Sequence, residues 1–140
     1  MVHALHEICR VLIAHGTIID LRPLTGSWPV EVVTRQQRHA VGNVTGVQEG
    51  IADDTAANQA MERAASEGLL QREQEELFDF RYYWNSPGEA QEYVDEEWAD
   101  FCSLGADVWK EARRQWALAD ADARVSVRLK MLITRWKKLA

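Results

Sequence analysis

The stretch ALHEICRVLIAHGTIIDLRP, residues 4–23, combines a helical pattern with a strand pattern. Leu5, Ile8 and Leu12 recur at the spacing of a helix that packs on one side. This spacing predicts a helix over residues 3–13, with those three side chains turned towards a core.

A turn and a strand follow that helix. Gly16 supplies the turn, and Thr17–Leu21 carries apolar residues at consecutive positions. A strand that is apolar on both faces is typical of a buried parallel sheet. Pro23 cannot donate to a strand ladder, so we expect the strand to stop there. Residues 30–45, rich in Val and Thr around a polar stretch, predict a hairpin.

Helix signals occupy the middle of the chain. Asp53 or Asp54 can cap a helix near residues 54–67. Ser86-Pro87-Gly88-Glu89 has the pattern of a capping box, with Pro at a position that needs no amide. We expect about five helices in all.

Two long segments alternate strictly and predict the C-terminal strands. Residues 75–84 place Asp79, Arg81 and Tyr83 on the face opposite Phe78, Phe80, Tyr82 and Trp84. Residues 124–131 place Arg124, Ser126, Arg128 and Lys130 opposite four apolar side chains. If the two strands pair, their basic residues share one sheet face.

Length and composition indicate one globular domain. The chain has 140 residues, of which 46% are hydrophobic, which suffices for a single core over 1–140. Cys9 and Cys102 are too few for a disulfide framework, and the first residues lack the pattern of a secretory leader. We therefore expect a cytoplasmic protein that has no membrane partner.

Charge is distributed unevenly along the chain. From Lys110 onward the net charge is +6, which leaves −12 for residues 1–109. A basic segment can mark a nucleic-acid partner. We favour the simpler interpretation, that it faces the acidic run between Glu89 and Asp100 within one molecule or across a dimer, and we expect no nucleic-acid partner.

Glu7-Ile8-Cys9-Arg10-Val11-Leu12, followed by Ala14-His15-Gly16 and an apolar strand, resembles part of class I S-adenosylmethionine-dependent methyltransferases. In that family the pattern E-I-x-R-V-L-x-P-G-G marks the helix before the fifth sheet strand. The resemblance implies a C-terminal half: the fifth strand parallel to its neighbours, a helix near 54–67, a sixth strand near 75–84 and an antiparallel seventh near 124–132. The fold class expected is thus α/β, with a parallel strand, a C-terminal antiparallel pair and an extra hairpin.

The cofactor-binding features of that family lie before its fifth strand. They include a glycine-rich turn, but no G-x-G occurs in this chain. The resemblance therefore implies no cofactor-binding residue here, and we expect no cofactor on this chain alone. It also implies a bare edge on the fifth strand, which either the hairpin at 30–45 or a second copy would cover; we favour a homodimer.

Candidate ligand or anion contacts come from the aromatic and arginine residues. Guanidinium groups suit carboxylate or phosphate, and aromatic rings can wall a pocket. Solvated charges and aromatic core residues are the simpler interpretations. His3, His6, Glu7 and Cys9 could present metal ligands on a helix, but we favour no metal site. The candidate contacts are Arg22, Trp28, Arg81, Tyr83, Arg124 and Arg128.

Three functional classes follow. We favour a non-catalytic, methyltransferase-like remnant that acts as an interaction or assembly module. The second is the C-terminal part of a methyltransferase whose cofactor-binding half is a partner chain or lies upstream of Met1. The third is a small-molecule binding protein. No nucleophile motif such as G-x-S-x-G supports catalysis by this chain alone.

Overall fold

A computed structural model describes the backbone of residues 2–140 and the side chains of residues 3–48 and 50–140. Over these residues the chain forms four α-helices, five strands and one 3-10 turn, Val47–Gly50. In chain order they are α1 (Val2–Val11), β1 (Thr17–Pro23), β2 (Pro29–Val33), β3 (Arg38–Asn43), α2 (Ile51–Ser66), β4 (Leu70–Trp84), α3 (Pro87–Glu97), α4 (Ala106–Leu118) and β5 (Arg124–Lys138). The expected count of five helices is therefore wrong. None of the described helices is both long and apolar enough to cross a membrane.

The sheet is antiparallel throughout its described strands, in the order β1-β5-β2-β3, with β4 also paired to β5. The expectation of a parallel strand at Thr17–Leu21 is wrong. β1 pairs antiparallel with β5, from Thr17 opposite Lys137 to Pro23 opposite Met131. Its residues alternate between exposed and half-buried, so one face of the strand is covered and the other is open. The consecutive apolar residues Ile18 and Ile19 therefore point to opposite faces, of which only the face of Ile18 is partly covered.

The hairpin predicted over residues 30–45 is present as β2 and β3. Thr34 stabilises its turn: its amide donates to the Gln37 carbonyl at 2.9 Å, and its hydroxyl accepts from the Gln37 amide at 3.1 Å. β2 pairs with β5, Val30 opposite Val127 and Val33 opposite Arg124. The hairpin thus joins the sheet through β5.

The chain divides into two compact units, each with part of β4 and β5. Unit 1 comprises residues 1–24, 50–78 and 130–140. Its core lies between α1, α2 and β5. Every core residue is less than one tenth exposed. These residues are Leu5, Cys9, Ala60, Met61, Ala64, Leu70 and Trp136.

The buried stripe of α1 differs from the one that the spacing predicts. Leu5 and Cys9 are buried, whereas Ile8 is 42% exposed and Leu12 is half-buried. Cys9 belongs to the same buried cluster as Ala60 and Ala64 of α2, where small side chains allow two helices to approach closely. Ile8 is thereby left on the outer side of α1.

Unit 2 comprises residues 25–49 and 79–129. Val32, Ala112 and Ala123 form a buried cluster beside Val41 and Ala119, and so join the hairpin, α4 and the start of β5. A second cluster is aromatic. In it the buried Trp98 ring meets Trp28 edge-on at 6.1 Å and Tyr82 at 5.1 Å between centroids.

The predicted cap of α3 is confirmed. The Ser86 hydroxyl accepts a hydrogen bond from the Glu89 amide at 3.2 Å, and Pro87 opens the helix. The Glu89 carboxylate reaches back to the Asn85 amide at 3.0 Å. Two amides are thus satisfied at a helix start that carries the buried Ala90 and Val94.

Candidate functional site

Unit 2 carries charged side chains on one sheet face, which we call the arginine face. Strand alternation places on it three residues from β4, three from β5 and two from β2. Cross-strand pairing aligns Glu31 with Ser126 and Val33 with Arg124. The members are Asp79, Arg81, Tyr83, Arg124, Ser126, Arg128, Glu31 and Val33.

A short ion pair crosses the centre of the arginine face. Arg81 Nη1 donates to Glu31 Oε2 at 2.6 Å, and the two side chains are only 15% and 11% exposed. Because β5 lies between β4 and β2, the guanidinium spans the strand at Ser126, which is fully buried. Desolvated partners of this kind hold each other in place, since either would be costly to leave unpaired.

A looser ion pair lies beside it. Arg128 Nη1 is 3.7 Å from Asp79 Oδ2, with both side chains more than one third exposed. Arg128 Nε and Ser126 Oγ are buried atoms without a hydrogen-bond partner among the described residues. The arginine face therefore combines satisfied and unsatisfied polar groups.

At the Arg124 end of the arginine face, the surface opens into a cavity of about 280 Å³, which we call the hairpin pocket. The Arg124 guanidinium lies 4.5 Å from the centre of the Tyr83 ring. Val33 is opposite Arg124 on one side and opposite Arg38 on the other. The lining residues are Val33, Thr34, Arg35, Arg38, Tyr83, Asp122 and Arg124.

The six residues predicted as ligand or anion contacts divide between several places. Arg81, Tyr83, Arg124 and Arg128 lie on the arginine face, and two of them line the hairpin pocket. Trp28 is instead a core residue, only 6% exposed. Whether the four contact a ligand stays a prediction.

Arg22 belongs to unit 1, where neighbouring oxygens engage it. Its Nε donates to Asp20 Oδ2 at 3.0 Å and its Nη2 to Asn58 Oδ1 at 2.7 Å. It is only 17% exposed. This guanidinium is committed to holding β1 and α2 together.

The sequence did not single out Glu31, Arg35, Arg38 and Asp122. Asp122 accepts a hydrogen bond from the Arg35 amide at 3.0 Å, which fixes the hairpin turn beside the start of β5. The sequence shows the polar stretch in the hairpin, but it does not predict how the hairpin pairs with β5. Only that pairing brings Arg38 near Arg124.

The β1 strand of unit 1 presents a second candidate site. Lys138 N donates to Gly16 O and Leu24 N to Lys130 O, each at 2.9 Å. Because such bonds alternate along an antiparallel pair, the even-numbered residues between them bond to β5 and the odd-numbered ones face outward. The outward backbone groups of Thr17, Ile19 and Leu21 form what we call the β1 edge.

Apolar side chains accompany the β1 edge. Ile19 is 55% and Leu21 54% exposed, on the sheet face opposite the half-buried Ile18. Leu21 lies opposite Ile133 in the β1–β5 register, so a half-buried apolar neighbour extends the patch. β1 has no second strand partner within residues 2–140.

Three of the four N-terminal residues weighed as metal ligands, His6, Glu7 and Cys9, are paired or buried. His6 Nε2 lies 3.3 Å from Glu67 Oε2, and the pKa of the Glu67 carboxyl is lowered, chiefly by the Arg63 hydrogen bond and next by that of His6. Cys9 is buried. No group of three potential ligands that could hold a metal occurs in the part of the chain that the structure describes.

Two arginines of the basic C-terminal segment form ion pairs with described acidic residues. Arg114 pairs with Glu111 on α4 and lowers the pKa of that carboxyl to about 2, with Gln115 contributing. Arg135 pairs with Glu73 at 3.0 Å. Neither acid belongs to the run between Glu89 and Asp100.

Fold and sites together define an α/β protein with an antiparallel sheet, an arginine face and an open, apolar strand edge. The chain matches no family model, and no curated protein and no solved structure is significantly similar to it.

Proposed function

We propose that the chain is a non-catalytic, methyltransferase-like interaction module that forms a homodimer through the β1 edge. The observation that carries the proposal is the combination of outward backbone groups and exposed apolar side chains at Ile19 and Leu21. Open strand edges pair readily with other chains, and proteins usually guard them with charged residues. The charged residues of β1, Asp20 and Arg22, bond to each other on the covered face instead.

A two-fold axis at Ile19 gives the most favourable register. It places Ile19 opposite its own copy and Thr17 opposite the partner's Leu21, so that outward amides and carbonyls meet in hydrogen-bonded pairs. Pro23 has no amide, which limits the ladder at that end. A register centred on Asp20 would instead set two like charges opposite each other, which is destabilising.

Light scattering after size exclusion tests the homodimer. We expect a molar mass that rises across the micromolar range towards twice the 16.0 kDa of one chain. Ile19→Lys should shift the protein to the monomer, because it places a charge at the centre of the paired edge. Leu118→Lys is the matched control, since Leu118 is an exposed apolar residue, 74% accessible, at the end of α4. A 16.0 kDa mass at every concentration would rule out the homodimer.

A cofactor-binding partner chain is the second candidate occupant of the same edge. β1 pairs with β5 on one side only, and the resemblance implies a fourth strand on the other side of its fifth. A monomer whose outward Ile19 and Leu21 amides become protected only with an added cofactor-binding chain would support this candidate against the homodimer.

A further inference from the structure

We propose that the hairpin pocket binds a small molecule through its phosphate group. This site lies in unit 2 and goes beyond the assembly function proposed for β1. The proposal rests on three observations: the alignment of Arg38, Val33 and Arg124 across the sheet, the net charge of the pocket, and the contacts of its arginines.

Side chains from three neighbouring strands line up across the pocket, starting from β3. Arg38 lies opposite Val33, Val33 lies opposite Arg124, and Arg124 stacks on Tyr83. Residues directly opposite each other on neighbouring strands share a face. Two guanidinium groups therefore flank the buried Val33, which forms a floor between them.

The pocket is electropositive. Arg35, Arg38 and Arg124 contribute three positive charges against the single carboxylate of Asp122, which leaves a net charge of +2. The Asp122 carboxylate already accepts from the Arg35 amide, so it has a structural partner. A phosphate monoester carries close to two negative charges at neutral pH and matches this balance.

The arginines retain donors for a ligand. The Arg124 guanidinium carbon lies over the Tyr83 ring, 4.5 Å from its centre. A guanidinium that lies over a ring face can still donate from its N–H groups to a ligand. Arg35 is 92% exposed, and its Nε is 3.9 Å from Asp122 Oδ2, which is a long contact. Guanidinium forks bind phosphate oxygens bidentately, so a ligand can recruit these groups without breaking a strong ion pair.

The cavity volume of about 280 Å³ sets the ligand size. It exceeds what one phosphate group needs and lies near the lower end of small-molecule pockets. The exposed ring of Tyr83, at the wall, offers an apolar surface for the part of the molecule that carries the phosphate. The pocket therefore fits a small phosphate monoester better than a free phosphate ion.

NMR titration of the full chain with phenyl phosphate, inorganic phosphate and chloride at matched ionic strength tests this site. We expect saturable shifts at Arg35, Arg38 and Arg124 with both phosphates, and tighter binding of phenyl phosphate. Arg38→Met should weaken that binding roughly tenfold or more, because a charge-assisted hydrogen bond is lost.

Two variants control the experiment. Arg10→Met removes an exposed arginine of α1 that pairs with Glu7, and it should leave the affinity unchanged. Arg124→Lys keeps the charge but loses the fork and the stacking, and it should still weaken binding measurably. Shifts that chloride reproduces, or equal weakening by Arg10→Met and Arg38→Met, would overturn the proposal.

Discussion

Removing one partner of the Arg81–Glu31 pair should destabilise the protein strongly. The atoms are 2.6 Å apart and the side chains 15% and 11% exposed, so Arg81→Leu leaves a nearly buried carboxylate without its cation. Breaking such a pair costs about 3–5 kcal/mol. Glu31→Leu should cost a similar amount for the converse reason. These losses are large beside a total stability of about 5–15 kcal/mol.

Urea denaturation of both single variants and the double variant measures the coupling. The double variant should cost less than the sum of the singles by at least about 1 kcal/mol, because it leaves neither charge alone. Arg128 and Asp79 provide the control pair on the same face. Their atoms are 3.7 Å apart and their side chains are 36% and 38% exposed, so their coupling should be below about 1 kcal/mol. Additive losses at Arg81 and Glu31, within about 0.5 kcal/mol, would refute the reasoning.

Three further predictions concern unit 2. Ser86→Ala should lower the free energy of unfolding by about 1 kcal/mol through loss of the α3 cap, and an unchanged denaturation midpoint would mean that the cap is not needed. Gly42→Ala should destabilise the protein, because φ is +157° and a Cβ would lie 2.6 Å from Val108 Cγ2. In thermal melts, adding Val108→Ala to this variant should recover part of the lost stability, and no recovery would contradict the clash. Burial raises the pKa of the Cys102 thiol from 9.0 to about 11. Burial of the neutral thiol therefore contributes fully to stability below pH 9.0, and the contribution is lost as pH rises through 11. Iodoacetamide should label the native protein at pH 9 more slowly than the urea-unfolded chain, and equal rates would argue against that burial.

Local patterns predicted much of the secondary structure. The alternation in residues 75–84 and 124–131 located two strands because successive side chains of a strand point to opposite faces. It did not predict burial, since Phe78 and Phe80 of β4 are exposed. Ser86 and Glu89 located the start of α3 because the capping groups lie within one turn of the chain. The structure extends both strands, to Leu70–Trp84 and Arg124–Lys138, where the alternation is less regular.

Long-range pairing was not predictable in the same way. Thr17–Leu21 has the composition of a buried parallel strand, yet its only described strand partner is the antiparallel β5. A strand with one open face and a strand buried on both faces can carry the same apolar residues, so composition alone does not separate them. Likewise Arg38 approaches Arg124 only through the register of β2 against both neighbours.

Residue-resolved hydrogen exchange of the β1 amides tests the proposed assembly most directly. The Ile18 and Asp20 amides face β5 and should be protected at every protein concentration, so they serve as internal controls. If two copies pair through the β1 edge, protection of the Ile19 and Leu21 amides rises with concentration as the dimer forms. Exchange of those two amides at the rate of an unfolded chain, at concentrations up to the millimolar range, would contradict the account.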